Sequence, residues 1–408
     1  MITPKESANL LTGNIDSISA YLPKNSLTEG LDPSYSIDFN HSPDSSTSLV
    51  SRQSNNIPLT NPNPNSNFSN PAVYADFNGD GKNDRLWRND KGETVIWLMD
   101  GNNISDNKLL PSIGTEWDYK LADFNRDGKS DIFWRNTQTG ENVIWMMDGT
   151  NVVSSTQLQN IDAPWNFDIA DFNGDGKSDV FWHNTTTGEN ATWLMDNTTV
   201  TTAAFLPKNQ DSGWTATVLD TNGDGKSDLF WRNQTTGENT LWIMNGTDSS
   251  VSSLETKDSS WNYTVGDFNG DGQNDLLWRN QLTGENSVWL MNGSLVFGGN
   301  LDNMGSDWKA DIGDFNGDGK TDIFWRNSTT GENTAWLMDG TSVSSSAFLA
   351  KADPTLQYDI GDFNDDGKTD IFWRNPQTGD NSIWFMNGTT ASNSSVTTAP
   401  PEWRTTVS

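Results

Sequence analysis

A nine-residue motif that recurs seven times constrains this chain more than any other feature. In its second copy the motif reads DFNRDGKSD, at residues 123–131. The Asp residues that open the seven copies are Asp76, Asp123, Asp171, Asp220, Asp267, Asp314 and Asp362. Successive copies lie 47, 48, 49, 47, 47 and 48 residues apart. A period this regular indicates one supersecondary unit repeated along the chain, so the array has to be interpreted before any single motif.

Each repeat contains four short segments with strand character and no helical periodicity. In the second repeat, WDYKLAD at 117–123 alternates with a period of two, and IFWRN follows the acidic motif. The turn sequence TQTGEN leads into VIWMMDG, and a polar fourth strand is predicted near NVVSSTQLQ. We therefore predict an all-β fold, a seven-bladed β-propeller of four-stranded antiparallel blades. A linear β-solenoid is the competing architecture.

The 20 Trp residues fall into the same repeat. Seven stand twelfth from the loop Asp, seven lie in the third strand, five precede a loop by six residues, and the last is Trp403. This placement predicts aromatic rings packed between neighbouring blades. The tail EWRTTVS resembles the start of another first strand, while the first repeat lacks the matching Trp. The tail could close the ring beside the first blade or remain a frayed strand.

Residues 1–70 differ from the array, because they are rich in Ser, Asn and Pro and contain no Trp. We predict a disordered leader over 1–70 and the propeller over 71–408. The chain has no Cys, no apolar run of the roughly 20 residues that a membrane helix needs, and no recognisable signal peptide. Its net charge of -30 argues against nucleic acid as a partner, and we expect no membrane insertion and a monomer.

The repeated motif has the residue types of a site for a hard divalent cation. Positions 1, 3 and 5 can direct side-chain oxygens to one centre, Gly at position 6 permits the chain to reverse, and position 7 offers its carbonyl. Asp at position 9 then closes the cage, which suits Ca²⁺ better than Mg²⁺. Position 12 is Trp rather than Glu, and strands flank the motif, so it is not an EF-hand. The alternative is an Asx-rich turn between two strands.

Repetition favours the cage, because closely packed carboxylates destabilise an empty loop. We expect up to seven Ca²⁺ ions, which would reduce the formal charge from -30 to -16. The predicted ligands, at positions 1, 3, 5, 7 (carbonyl) and 9 of each copy, are Asp76, Asn78, Asp80, Lys82 and Asp84; Asp123, Asn125, Asp127, Lys129 and Asp131; Asp171, Asn173, Asp175, Lys177 and Asp179; Asp220, Asn222, Asp224, Lys226 and Asp228; Asp267, Asn269, Asp271, Gln273 and Asp275; Asp314, Asn316, Asp318, Lys320 and Asp322; and Asp362, Asn364, Asp366, Lys368 and Asp370.

The repeat W-x5-DFNGDGKSD-hydrophobic-x-W-R-N-x-x-TGEN-x-x-W-L-M-D/N-G resembles the FG-GAP/VCBS repeats of bacterial surface and secreted proteins. It is also similar to the calcium-binding blades of integrin α-subunit heads and to a fungal seven-bladed lectin type. The resemblance covers residues 71–408 and rests mainly on the DxNxDGxxD loop. It implies Ca²⁺ in loops clustered on one face and an adhesive or ligand-binding role. Integrins fill only some blades, whereas all seven loops are complete here.

We therefore expect a calcium-binding, secreted or cell-surface adhesion module with a glycan or protein ligand. The segment WRN…TGEN offers candidate sugar contacts in Arg135, Asn136, Glu141 and Asn142. The favoured alternative is a cross-strand Arg–Glu pair above a core Trp. A propeller-type polysaccharide lyase or hydrolase is the second functional class. We do not expect an enzyme, because the seven loops are near-identical and neither His41 nor His183 marks a catalytic triad.

Overall fold

The computed structural model describes residues 75–162, 164–208 and 213–405. These residues form 28 β-strands in seven four-stranded antiparallel sheets, and the described part of the chain contains no helix. Within that part, no helix is long and apolar enough to cross a membrane. The predicted all-β seven-bladed propeller is thereby confirmed, and the linear solenoid is excluded by the ring closure described below. The predicted leader at 1–70 lies outside the described residues.

Blade 1 contains β1–β3 and β28, and blades 2 to 7 each contain four consecutive strands from β4–β7 to β24–β27. The strands are β1 Arg85–Asn89, β2 Thr94–Asp100, β3 Asn103–Leu109, β4 Trp117–Ala122, β5 Asp131–Asn136, β6 Asn142–Asp148, β7 Asn151–Leu158, β8 Trp165–Ala170, β9 Asp179–Asn184, β10 Asn190–Asp196, β11 Thr199–Leu206, β12 Trp214–Leu219, β13 Asp228–Asn233, β14 Asn239–Asn245, β15 Asp248–Leu254, β16 Trp261–Gly266, β17 Asp275–Asn280, β18 Asn286–Asn292, β19 Leu295–Leu301, β20 Trp308–Gly313, β21 Asp322–Asn327, β22 Asn333–Asp339, β23 Ser342–Phe348, β24 Gln357–Gly361, β25 Asp370–Arg374, β26 Asn381–Asn387, β27 Thr390–Val396 and β28 Trp403–Thr405.

The first strand of each blade lies nearest the ring axis, since β8 contacts both β4 and β12, and β16 contacts β20. The second strands are buried along their length, as in β5, because neighbouring blades cover both faces of each sheet. The fourth strands form the outer edge and are largely exposed, as in β7. The polar fourth strand predicted near NVVSSTQLQ is confirmed by β7.

The hydrophobic core is divided among the interfaces between blades, one cluster at each of the seven. Between blades 2 and 3, Phe124 and Phe133 pack with Trp182 and Trp193. The Trp at position 12 is at most 1% exposed in every copy: Trp87, Trp134, Trp182, Trp231, Trp278, Trp325 and Trp373. The predicted packing of aromatic rings between blades is confirmed, and these side chains join neighbouring blades of the propeller.

The C-terminal strand β28 closes the ring by pairing with β1. Its register places Trp403 opposite Asn89 and Arg404 opposite Arg88. Trp403 is buried in the cluster that joins blade 7 to blade 1, together with Trp87 and Phe372. Of the two alternatives for the tail, the structure confirms ring closure. Blade 1 is therefore assembled from both ends of the described chain.

Candidate metal loops

The seven acidic motifs lie on one face of the ring, because each directly precedes the second strand of its blade, and in blades 2 to 7 it connects the first strand to the second. In blade 2 the motif begins at Asp123, directly after β4, and ends at Asp131, the first residue of β5. The positions of the motif are used below as numbers 1 to 9. All the predicted ligand residues fall within these loops, so the fold brings each set of five into one short segment.

Position 1 organises the loop by accepting hydrogen bonds from the loop's own backbone. In the first copy, Asp76 Oδ1 accepts from Gly79 N at 2.6 Å, and Asp76 Oδ2 accepts from Gly81 N at 2.8 Å. The backbone of Gly81 has a φ of +82°, which residues with a Cβ avoid. Positions 3 and 5 each accept a hydrogen bond from the backbone N–H two residues further on. Asn78 Oδ1 accepts from Asp80 N, and Asp80 Oδ1 accepts from Lys82 N. The loop is a series of Asx turns.

Position 9 is fully buried and fixes the loop to the rest of its blade. Asp131 Oδ2 accepts from Phe124 N at 3.1 Å, and Asp131 Oδ1 accepts from Met147 N in the third strand at 2.8 Å. The equivalent pair of bonds is present in all seven copies, at Asp84, Asp131, Asp179, Asp228, Asp275, Asp322 and Asp370. Position 9 therefore has a structural role whether or not a cation is bound.

In five copies the Lys at position 7 contacts the last residue of the third strand, whereas Lys368 donates to Asp366 of its own loop at 3.4 Å. Lys320 Nζ donates to Asp339 at 2.6 Å, and Lys226 Nζ donates to Asn245 at 2.8 Å, in each case at the end of the third strand. Lys129 pairs in the same way with Asp148. A Lys side chain carries no oxygen, so in the six copies with Lys at position 7 the main-chain carbonyl is the one oxygen that this position offers, and its role as a ligand stays a prediction.

Backbone hydrogen bonds join consecutive loops into a closed circuit, which sequence reasoning missed. The N–H at position 8 donates to the carbonyl at position 1 of the preceding loop, as from Ser130 to Asp76 at 2.6 Å. The bond from Asn83 to Asp362, also 2.6 Å, completes the circuit between blades 1 and 7. The signal was position 8 itself, which is always Asn, Ser or Thr. In three copies the side chain at position 8 also accepts from the neighbouring loop: Ser130 Oγ from Asp76 N, Asn274 Oδ1 from Asp220 N and Thr321 Oγ1 from Asp267 N.

The ionised carboxylates of one loop repel one another, and burial makes their charged form less stable still. Burial raises the pKa of Asp131 to about 7, and the charges of Asp123 and Asp127 add to the increase. Burial likewise raises the pKa of Asp370 to about 8. In the fourth copy the pKa of Asp228 rises only to about 6, because the Thr221 hydroxyl donates to its carboxylate at 2.7 Å. Position 2 is Phe in the other six copies, so Thr221 alone supplies this extra bond.

The ligand atoms that positions 1, 3, 5, 7 and 9 can offer a metal are all oxygens, and oxygen is the ligand that hard cations prefer. Within residues 75–162, 164–208 and 213–405, however, no three acidic or His side chains surround a common point. Many of the carboxylate oxygens are engaged by backbone N–H groups. An ionised carboxylate has about four lone-pair positions, so the two N–H bonds at position 9 leave acceptor capacity for a cation.

Three of the four candidate sugar contacts in the segment WRN…TGEN are buried and therefore inaccessible. Arg135, Asn136 and Asn142 are at most 4% exposed. The alternative, a cross-strand Arg–Glu pair, is also wrong. The hairpin register places Asn142, and not Glu141, opposite Arg135. Arg135 Nη1 donates to Asn142 Oδ1 at 3.0 Å, while Glu141 accepts from Thr139 Oγ1. The expectation that the Trp of this segment lies in the core is confirmed.

The Arg of this segment instead joins its blade to the next one. Arg279 Nη2 donates to the carbonyls of Gly305 and Trp308 in the following blade, at 2.7 and 2.8 Å. Its guanidinium also lies 4.8 Å from the ring of Trp325. In blade 3 this position is His183, whose Nδ1 is 2.7 Å from Asn190 Oδ1 and whose ring meets Trp231 edge-on. His183 is thus a packing residue in the one interface that lacks the Arg.

The first strands of blades 6 and 7 and the second strand of blade 1 carry ionisable groups that do not follow the repeat. Arg85 Nη2 donates to Asp359 Oδ2 at 2.5 Å, and Tyr358 donates to Asp311. Burial raises the pKa of Asp311 to about 6, and the nearby Asp359 charge adds to it. Sequence reasoning missed this group. Its signal was Arg85, which stands where the other six copies have Ile, Val or Leu.

The fold and the loops define a class of protein, a closed propeller with one acidic oxygen-rich loop in every blade. The sequence model of the FG-GAP-like repeat matches residues 76–134, 123–182, 220–278 and 267–325, more than half of the chain. The chain belongs to the FG-GAP repeat family, as the resemblance of the motif predicted. A comparison with curated protein sequences finds no match.

Among solved structures, the fold is similar to that of a lectin from Agrocybe aegerita that specifically recognises non-reducing terminal N-acetylglucosamine. The two share 17% sequence identity with a TM-score of 0.61, over 77% of this chain and 90% of the lectin chain. A prolyl oligopeptidase B from Galerina marginata shares 11% identity with a TM-score of 0.45, over 79% of this chain and 52% of that chain. At these identities the likeness concerns the fold alone.

Proposed function

We propose that the protein is a calcium-stabilised propeller that acts outside the cell or at its surface as a binding or adhesion module for a glycan or protein. The observation that carries the proposal is the ring of seven oxygen-only acidic loops, hydrogen-bonded to one another on one face. Weak extracellular calcium sites are suited to the millimolar Ca²⁺ found outside cells. When bound, the ion supplies positive charge that offsets the mutual repulsion of the loop carboxylates.

In blades 3 and 6, an exposed Phe of the fourth strand lies beside a half-buried Trp of the first strand, and these two pairs supply a candidate surface for a glycan ligand. Phe205 is 36% exposed and lies 6.4 Å from the half-buried ring of Trp165. Phe348 is 73% exposed and lies 6.4 Å from the half-buried ring of Trp308. Aromatic faces stack on the apolar side of a sugar ring, and the fold resemblance to a lectin supports this type of ligand. These pairs replace the buried WRN…TGEN segment as the proposed contact surface.

A glycan array probed with and without Ca²⁺ tests this function. We expect binding that a chelator abolishes or weakens, without consumption of the glycan. Phe348→Ala should weaken glycan binding, whereas Leu282→Ala, which removes another exposed apolar side chain (78% exposed), should not. Binding of no glycan, together with capture of a defined protein, would leave a protein ligand as the supported form of the proposal. Absence of both would contradict it.

A polysaccharide-active enzyme is the second candidate, because the groups near the axis form one asymmetric set. Asp311, Asp359, Tyr358 and Arg85 come from three different blades, and the charge of Asp359 adds to the burial that raises the pKa of Asp311. A carboxyl group with a raised pKa is a common general acid. Release of reducing ends from a polysaccharide, lost in Asp311→Asn but retained in Asp168→Asn, would favour this candidate over a binding module.

A further inference from the structure

Position 4 of the acidic loop differs from the rest of the motif because two copies lack Gly there. Five loops have Gly at this position: Gly79, Gly174, Gly223, Gly270 and Gly317. The other two have Arg126 and Asp365, with φ values of +61° and +58°. This left-handed conformation is unfavourable for residues with a Cβ, so the backbone at both residues is strained. The two side chains also carry opposite charges, and both reach the following loop.

Arg126 extends from its own loop onto the loop of blade 3. Its Nη1 donates to the backbone carbonyl of Asp175 at 3.0 Å. The guanidinium covers Gly176, where an added Cβ would lie only 2.7 Å from Arg126 Nε. Asp175 and Gly176 are positions 5 and 6 of the loop at 171–179. A fixed positive charge therefore lies against one of the seven candidate cation loops.

Asp365 makes the equivalent contact across the junction between blades 7 and 1. Its carboxylate lies against Gly81, position 6 of the loop at 76–84, where an added Cβ would be 3.0 Å from Asp365 Oδ1. The second carboxylate oxygen, Asp365 Oδ2, would lie 3.6 Å from the same added Cβ. The loop at 76–84 therefore has a negative charge beside it in addition to its own three carboxylates.

We propose that the residue at position 4 sets the cation affinity of the following loop. The loop at 76–84 then binds a divalent cation most tightly and the loop at 171–179 most weakly, while the affinities of the five others lie between these two. This inference rests on the proposed calcium function. At low ionic strength, one unit charge at this range should change the dissociation constant of a divalent ion by roughly five- to tenfold.

Calorimetric titration of the chelator-treated full chain with Ca²⁺ at low salt tests the proposal. We expect one tight, five intermediate and one weak site. Asp365→Asn keeps the side-chain shape and tolerates the left-handed backbone, so it should move the tight site into the intermediate class. Arg126→Gly should move the weak site into the same class. Raising the salt concentration should bring the seven dissociation constants closer together, because the effects of Arg126 and Asp365 are both electrostatic.

A variant that moves the position-4 carboxylate to another loop makes the test independent of Arg126 and Asp365. Gly317→Asp introduces a carboxylate at position 4 of the loop at 314–322, next to Lys368, with ordinary contact of 3.4 Å for its Cβ. It should create a second tight site in the loop at 362–370, whereas Gly317→Asn, with the same backbone strain, should not. Seven equal sites, or classes that these variants leave unchanged, would overturn the inference alone. No Ca²⁺ binding at all would overturn the proposed function with it.

Discussion

Arg279 shows how one buried side chain joins two blades. Its guanidinium binds Asn286 in its own blade, three backbone carbonyls on the side of the next blade and the face of Trp325. Asn286 is buried and Trp308 is half-buried, so Asn286 Oδ1 and the Trp308 carbonyl lose water on folding and gain the Arg as a partner. Such a contact contributes through satisfied hydrogen bonds, since a donor or acceptor left buried without a partner is costly.

Arg279→Met should lower the free energy of unfolding by about 2–3 kcal/mol, because the apolar stem is kept while the carbonyls and Asn286 lose their donor. Urea denaturation followed by Trp fluorescence measures the change. Arg404→Met is the matched control, because Arg404 forms an exposed ion pair with Asp90 and exposed pairs contribute little. Equal effects of the two substitutions would contradict the proposed role of the buried Arg.

His183→Arg tests the same contact in the opposite direction. The Arg in the next interface, Arg232, donates to Trp261 O at 2.7 Å and stacks on Trp278. The corresponding groups across from His183 are Trp214 and Trp231. We expect His183→Arg to stabilise the fold by about 1 kcal/mol, the usual net contribution of a hydrogen bond. Thermal denaturation measures it, and a lower melting temperature would show that this interface cannot accept the guanidinium.

At the scale of elements, β28 completes blade 1 and removes the exposed edge of β1. Without it, β1 would present unpaired backbone groups on the axis side of the blade, and such edges promote association between chains. Trp403 anchors the strand, because its ring is buried with Trp87 and Phe372 while Arg374 Nη2 binds its carbonyl at 2.7 Å. Three residues of regular strand are therefore fixed mainly by one side chain.

Trp403→Ala should destabilise the protein by about 3–5 kcal/mol, as expected for loss of a buried Trp. Denaturant unfolding gives the magnitude, and light scattering reports association through the exposed edge of β1. Phe348→Ala serves as the control, since that ring is mostly exposed and contributes little burial. A Trp403→Ala protein as stable and as monomeric as the parent would mean that β28 is not needed to close the ring.

Strands and blade number could be predicted from the sequence because both follow from local alternation and from the repeat. The contacts between blades could not, because they depend on how two repeats are placed in space. The hairpin after β5 illustrates the limit. Shifting its register by one residue would set Glu141 rather than Asn142 opposite Arg135, and the turn geometry that decides this is not visible in composition. The loop circuit from Ser130 to Asp76 was missed for the same reason.

For the whole molecule, the ring of loops concentrates negative charge on one face of a chain whose formal charge is already -30. Every repeated position of the motif has a hydrogen-bonding role within the described structure, so the Asx-turn interpretation accounts for the backbone. The Asx-turn interpretation does not account for the unfavourable free energy of keeping these carboxylates ionised. Burial is the main cause of that cost, and the charges of neighbouring Asp residues add to it. A bound cation would lower that cost in every loop and, through the bonds between loops, would strengthen the closed ring.

Thermal stability as a function of free Ca²⁺ tests this account most directly. If the loops bind Ca²⁺ only in the folded state, each occupied site should add about 1.4 kcal/mol for every tenfold excess of free Ca²⁺ over its dissociation constant. The melting temperature should therefore rise steadily with Ca²⁺ and fall sharply on chelation, with a smaller response to Mg²⁺. A melting temperature that is the same in chelator and in millimolar Ca²⁺ would contradict the account and leave the seven loops as turns.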